Sequence, residues 1–204
     1  MDKKKIAATT LMAVLPLLII LGNFHLLAFS ESFYREKMTD NFVYKDIEYK
    51  TANNLTASII SYMDSGKELD STVFIEREIE HMRDVRQLMQ AEKILLSITM
   101  ILAAVAIAYL LAKDKNTLLM AVYKGSIATL LITLITLIIV LFAFGPAFTL
   151  FHKILFRNDL WLLPADSMLI KLLPQQFFID FAKRLGLNTI ITASILMFIG
   201  SFKR

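Results

Sequence analysis

The chain has 204 residues, 56% of them apolar, with 15 Phe, 10 Met, no Cys and a formal net charge of +4. A mean hydropathy of +0.59 is too high for a soluble domain of this size, so the chain reads as an α-helical integral membrane protein. Without cysteine there is no disulfide framework, thiol nucleophile or cysteine metal site, and so mild a basic excess gives no ground for nucleic-acid binding.

The first apolar run, Ile6–Phe29, follows MDKKK and contains no Asp, Glu, Lys or Arg. Its basic start and small residues near the end resemble a signal peptide, but it far exceeds the usual core of about 7 to 15 apolar residues and reads as an anchor. Three further uncharged runs follow, Ile94–Leu111, Gly125–Phe144 and Leu185–Ile199. A hydrocarbon core of about 30 Å takes roughly 20 residues of helix. Four transmembrane helices are therefore predicted, over 6–29, 94–111, 125–145 and 185–202, the shorter runs being extended by flanking residues that snorkel. Short Lys/Arg-rich pieces stay in the cytoplasm. Here those are Lys3–Lys5, the connection 112–124 with Lys113, Lys115 and Lys124, and Lys203 with Arg204. Both termini are then inside. The long loop 30–93, with nine basic and thirteen acidic residues, and the loop 146–184 fall outside.

The loop 30–93 reads as a small, mostly helical or irregular extracellular cap. Phe42, Tyr44, Ile47 and Tyr49 suggest short extended or turn structure. Leu55, Ile59, Ile60 and Met63 recur at helical spacing before a stop at Gly66. So small a segment must lean on the membrane or on the other loop. From Val73 to Lys93 the spacing of Ile75, Ile79, Met82, Val85 and Met89 predicts a helix with one apolar stripe. His81 lies on its flank beside Phe74 and Leu88, with Asp84 three residues on and able to orient the ring. The competing reading is a boundary histidine with one structural hydrogen bond.

Gly145-Pro146 interrupts the third run, and FTLFHKILFRNDLWLLPADSMLIKLLPQQFF is too apolar for free solution and too broken for another crossing. The segment 146–184 is expected to lie in the interface, re-entrant or flat. Phe148, Phe151, Phe156, Trp161, Phe177, Phe178 and Phe181 would supply an aromatic belt, for which simple anchoring is the plain explanation. His152, Arg157, Asn158, Asp159 and Asp166 sit within it, and polar groups in such surroundings need partners.

No GxSxG elbow, SxxK or HExxH motif is present. The spacings of His25, His81 and His152 match no familiar metal or haem site, so no metal or other cofactor is expected. The spans carry no ionisable residue except His25, which argues against an ion-coupled transporter. What remains is acid/base chemistry by histidine at the membrane surface, on a substrate that brings its own nucleophile.

The blocks EREIEHMRDV around His81 and FHKILFRNDLWLLPADSMLIKLLPQQFF around His152 resemble the lipoprotein intramolecular transacylase (Lit) family of Gram-positive bacteria. The order of elements matches over nearly the whole chain. The resemblance implies four transmembrane helices under an extracellular cap, in the bacterial cell membrane, with His81 and His152 as the catalytic pair. It implies a reaction within one diacylated lipoprotein, in which an acyl chain moves from the sn-2 position of the diacylglyceryl group to the N-terminal cysteine amine, giving the lyso form. The partners are then that lipoprotein and membrane lipid, the enzyme acting as a monomer. On this reading Asp84 and Asp159 orient the histidines, the second histidine or donors such as Arg157 and Asn158 stabilise an oxyanion and protonate the departing glyceryl oxygen, and Phe151, Phe156 and Trp161 wall the pocket. His25, outside both blocks, is read as structural. The alternatives are an outer-leaflet lipase or intermolecular acyltransferase using the same histidines, and a non-catalytic membrane accessory protein.

Overall fold

The computed structural model describes residues 2–202; Lys203 and Arg204, counted above among the inside charges, lie outside the described residues. Helices α1 (Lys3–Ala28), α2 (Glu31–Asp40), α3 (Tyr49–Ser65), α4 (Glu76–Lys113), α5 (Lys115–Leu155), α6 (Met168–Leu172) and α7 (Gln175–Ser201) follow one another, with no strand among the described residues. Four of them, α1, α4, α5 and α7, are long and apolar enough to cross a membrane. Large apolar side chains stand bare along them, Val105 at 65%, Phe142 at 85% and Phe198 at 64% exposure. Water would not tolerate that much open apolar surface; lipid does.

The local signals explain most boundaries. Ser30 starts α2 by accepting from the Phe33 N–H, and α3 stops where Gly66 turns left-handed at φ 78. The Phe42–Tyr49 stretch is a turn rather than extended structure, with one 3₁₀ turn at Val43–Lys45 and Phe42 at φ 59. The amphipathic helix and the second apolar run are a single 38-residue helix, α4. Gly145-Pro146 bends α5 instead of ending it. Pro146 has no N–H for the Phe142 carbonyl and its ring crowds that oxygen, so helical geometry breaks at Ala143 (φ −143, ψ 37) and resumes to Leu155. α7 begins at Gln175, ten residues before its apolar run.

The chain divides into two compact units. The first comprises the chain up to His25, Glu92–Ile138 and the chain from Lys183 onward. In it, Leu11 and Val14 of α1 pack on Ala103, Ala106 and Leu110 of α4 and on Leu118 and Ala121 of α5, while Leu15 and Ile19 meet Ala193 of α7. Small residues let the backbones approach, which is how helices associate where lipid is as apolar as leucine. A Cβ on Gly200 would come within 2.7 Å of the Tyr123 backbone nitrogen and 2.9 Å of the Leu119 carbonyl oxygen. His25 pairs with the buried Glu92, Nδ1 to Oε2 at 3.1 Å.

The second unit comprises Leu26–Ala91 and Ile139–Ala182, so the two long loops share one core. Phe33 and Tyr34 of α2 stack on Phe177 at 5.7 and 4.9 Å between ring centroids, and Phe33 also meets Phe181. Met38, Ile59, Phe74, Leu172 and Phe177 are fully or nearly fully buried. Phe177 is therefore core rather than part of an interfacial belt.

Gly200→Val should lower the unfolding midpoint in detergent, at a cost of about 1–3 kcal/mol for overpacking against backbone that cannot yield. Gly22→Ala, inside α1 where an added Cβ meets nothing within 4 Å, should hold or raise it.

Candidate active site

The first turn of α4 is built around Glu78, whose side chain is fully buried. One carboxylate oxygen accepts from the Ile75 N–H at 2.8 Å, closing the start of α4, and the other accepts from the Leu169 N–H of α6 at 2.7 Å. A single acid thus satisfies orphan donors of two helices. Two further ties join α4 to the irregular segment 156–167. The Arg77 guanidinium donates to the Asp159 carbonyl, and the Asn158 amide donates to Asp84 at 2.8 Å.

On the adjoining face of α4, His81 comes within 6.3 Å of His152 in the last turn of α5, measured between ring centroids. His152 is buried, with rings of Phe148 at 4.2 Å, Trp161 at 4.8 Å, Phe151 at 5.4 Å and Phe156 at 5.5 Å. Phe156 also meets the edge of His81 at 5.3 Å. The His152 Nδ1 lies 2.7 Å from the Phe148 carbonyl oxygen. A carbonyl can only accept, so Nδ1 carries the proton and Nε2 keeps its lone pair. His81 Nδ1 and the Trp161 indole nitrogen are buried without a hydrogen-bond partner.

Both rings are harder to protonate than an ordinary histidine. Burial, then repulsion from His152, pushes His81 down to about 4, with Asp84 opposing weakly. Burial lowers His152, and the bond to Phe148 only partly offsets it. The pair is neutral at pH 7, and in surroundings this apolar two cations at this spacing would be strongly disfavoured.

His81, His152, Phe151, Phe156 and Trp161 are brought together. Asp84 engages Asn158 rather than the His81 ring. The Asn158 oxygen in turn accepts from the Leu160 N–H, so its amide is occupied at both ends. Asp159 contributes its carbonyl, with its side chain exposed, and Arg157 is exposed. Glu78 and the part played by Phe148 escaped the sequence. Glu78 stands three residues after Ile75, the spacing of a capping box, but Ile75 is not a capping residue type; at helical spacing Glu78 falls between Met82 and Val85 on the apolar stripe, and that position within EREIE was the one signal that could have marked it as buried. The buried face instead runs through Phe74, Glu78, Met82 and Met89, with Ile75 exposed. Among the described residues no group of three or more His, Asp or Glu is placed to hold a metal ion.

A family model described as the lipoprotein intramolecular transacylase Lit matches residues 9–178. The membrane-integral Lit of Bacillus cereus has a structure similar to this chain, with a TM-score of 0.87 at 18% identity, covering 95% of this chain and 92% of that one. Two forms of that protein with one histidine replaced, by arginine or by alanine, match with TM-scores of 0.83 and 0.84 at 17% identity, each over 98% of this chain and 91% and 93% of theirs. A search of curated protein sequences finds no match.

Glu78→Ala should destabilise the fold by about 1–3 kcal/mol for each donor left unpaired, seen as a lowered unfolding midpoint, with Glu78→Gln recovering part through its remaining oxygen. The folded chain holds His81 near 4 and the unfolded chain near 6.5, so the unfolded chain binds the extra proton between those values. Stability should therefore fall as pH drops through that window, and less steeply in His81→Gln; equal slopes would contradict the burial of this ring.

Proposed function

Because this chain belongs to the Lit family of lipoprotein intramolecular transacylases, and is a multi-pass membrane acyltransferase, we propose that it moves the sn-2 acyl chain of a diacylated lipoprotein onto the amine of that molecule's N-terminal cysteine. His81 and His152 are the acid/base pair. The reaction takes place at the extracellular face, under a cap formed by 30–93 and 146–184, and the enzyme works as a monomer. The observation that carries the reading is two neutral imidazoles from α4 and α5 at 6.3 Å, one with a fixed tautomer, walled by aromatic rings. The charge asymmetry of the loops supports the orientation.

The substrate amine has a pKa of about 8, so a useful fraction is neutral at pH 7. Its lone pair attacks the ester carbonyl carbon through a medium-sized ring, which closes slowly unless both ends are held. The aromatic wall holds them. Imidazoles this weakly basic do not strip a proton from the free ammonium; they act once the C–N bond has formed and the nitrogen has become acidic. His152 accepts that proton at Nε2. The tetrahedral adduct then re-forms its carbonyl, the bond to the glyceryl oxygen breaks, and the proton passes through the pair to that oxygen. An imidazolium of depressed pKa is a strong acid for this delivery. The products are an amide and a free glyceryl hydroxyl, with no water consumed and no protein nucleophile required. That a histidine was replaced in the Bacillus cereus protein points the same way.

His152→Gln and His81→Gln should each slow conversion by about 10²–10⁴-fold with expression preserved, read by mass spectrometry of an N-terminal lipopeptide in a bacterium that makes only diacylated lipoproteins. The wild-type product should keep its acyl count with one chain moved from oxygen to nitrogen. Release of free fatty acid would favour a lipase, and full activity in both variants would remove the histidine assignment.

A further inference from the structure

We infer that the indole N–H of Trp161 is the donor that holds the carbonyl oxygen of the migrating acyl group as it becomes an oxyanion. The inference rests on the acyl transfer proposed above and names a group within it. An indole nitrogen can only donate, and buried donors in folded proteins nearly always have an acceptor. Trp161 Nε1 is buried and has none. Its ring lies over His152 at 4.8 Å between centroids and 32° from parallel, so the indole that carries the idle donor is stacked on the ring that accepts the proton. An ester whose amine has been brought to His152 offers its carbonyl oxygen to that donor.

Among the neighbouring side chains, His81 belongs to the proton-transfer pair. The Asn158 amide is bonded to Asp84 and to the Leu160 N–H, and the Arg77 guanidinium is bonded to the Asp159 carbonyl. Arg157 is exposed, where water weakens any hold on an oxyanion. Trp161 is also fixed in place beforehand. Leu162 N–H bonds to the Asp159 carbonyl at 3.1 Å and Leu163 N–H to the Trp161 carbonyl at 3.0 Å, so the turn carrying the indole is tied on both sides. A donor oriented before the reaction, away from water, needs no rearrangement as charge develops. In the step itself, the nitrogen lone pair forms the C–N bond while the carbonyl π pair moves to oxygen, where Trp161 donates to it. When the carbonyl re-forms, that pair returns, the C–O bond to glycerol breaks, and the departing oxygen takes the proton that His152 removed from nitrogen. Trp161 donates throughout and exchanges no proton.

The sequence contains one tryptophan, so replacing tryptophan biosynthetically with benzothienylalanine exchanges one N–H for sulfur at Trp161 alone. The expected result is a kcat about 10²–10³-fold lower with KM nearly unchanged, the size of loss seen for one oxyanion donor. Binding of an alkylphosphonate lipopeptide that mimics the tetrahedral adduct should weaken in parallel. The unfolding midpoint should hold or rise, because an unsatisfied buried donor has been removed. Trp161→Phe should show the same kcat loss. An unchanged kcat in the sulfur analogue, or a raised KM with kcat kept, overturns the inference. Such a result with the histidine variants still inactive leaves the acyl transfer standing, whereas release of free fatty acid by the wild-type enzyme, with no chain moved to nitrogen, would remove the transfer itself.

Discussion

A buried carboxylate with two backbone donors fixes the geometry on which the rest of the site depends. Glu78 closes the start of α4 with one oxygen and the start of α6 with the other. A fully buried acid is costly unless its lone pairs are used, and here they are used on donors that helix ends would otherwise leave bare. Because α6 follows the segment that carries Trp161, the same contact draws that segment toward the helix that carries His81. The Arg77 and Asn158 ties act in the same sense from the neighbouring turns. The polar side of the first turns of α4 is thus spent on holding a loop, leaving His81 free of structural duty.

That freedom suits the chemistry proposed above. Most buried histidines have both nitrogens engaged; His152 has one bonded to a backbone carbonyl, and the Nδ1 of His81 has no partner. The rings are kept neutral by burial among phenylalanines rather than by a fixed charge. An enzyme whose substrate supplies both nucleophile and leaving group has little covalent work to do. What it must supply is a dry, shaped space with a few polar groups of known orientation, and the cluster of His152, Phe148, Phe156 and Trp161 has that composition.

The apolar helices follow a different logic. In the unit built from the long apolar stretches, specificity comes from close approach, with glycine and alanine set against leucines such as Leu11, Leu15 and Leu110 at the contacts and many other large apolar side chains turned outward. Polar groups there are few and mostly local. Thr129 and Thr133 bond to carbonyls one turn back, which satisfies them without a partner helix, while Asn23 of α1 donates to the Ile19 carbonyl and across to the Thr192 hydroxyl of α7.

Hydrophobicity acts through length and period, and these are written along the chain. The four long apolar helices, the helical spacing of Leu55, Ile59, Ile60 and Met63, the stop at Gly66 and the histidines in two special blocks were therefore legible in the residues alone. Burial of a charged residue is not written there. Glu78 looked like one more acid in EREIE, because its partners lie across the chain and backbone donors leave no trace in residue type. Nor does sequence say whether a proline breaks a helix or bends it; Pro146 bends α5, and helix resumes beyond it because in apolar surroundings the remaining backbone groups must be bonded within the helix. The meeting of His81 with His152, the tautomer set by Phe148 and the idle indole of Trp161 were decided only by tertiary structure, since each depends on distance between segments that the sequence keeps far apart.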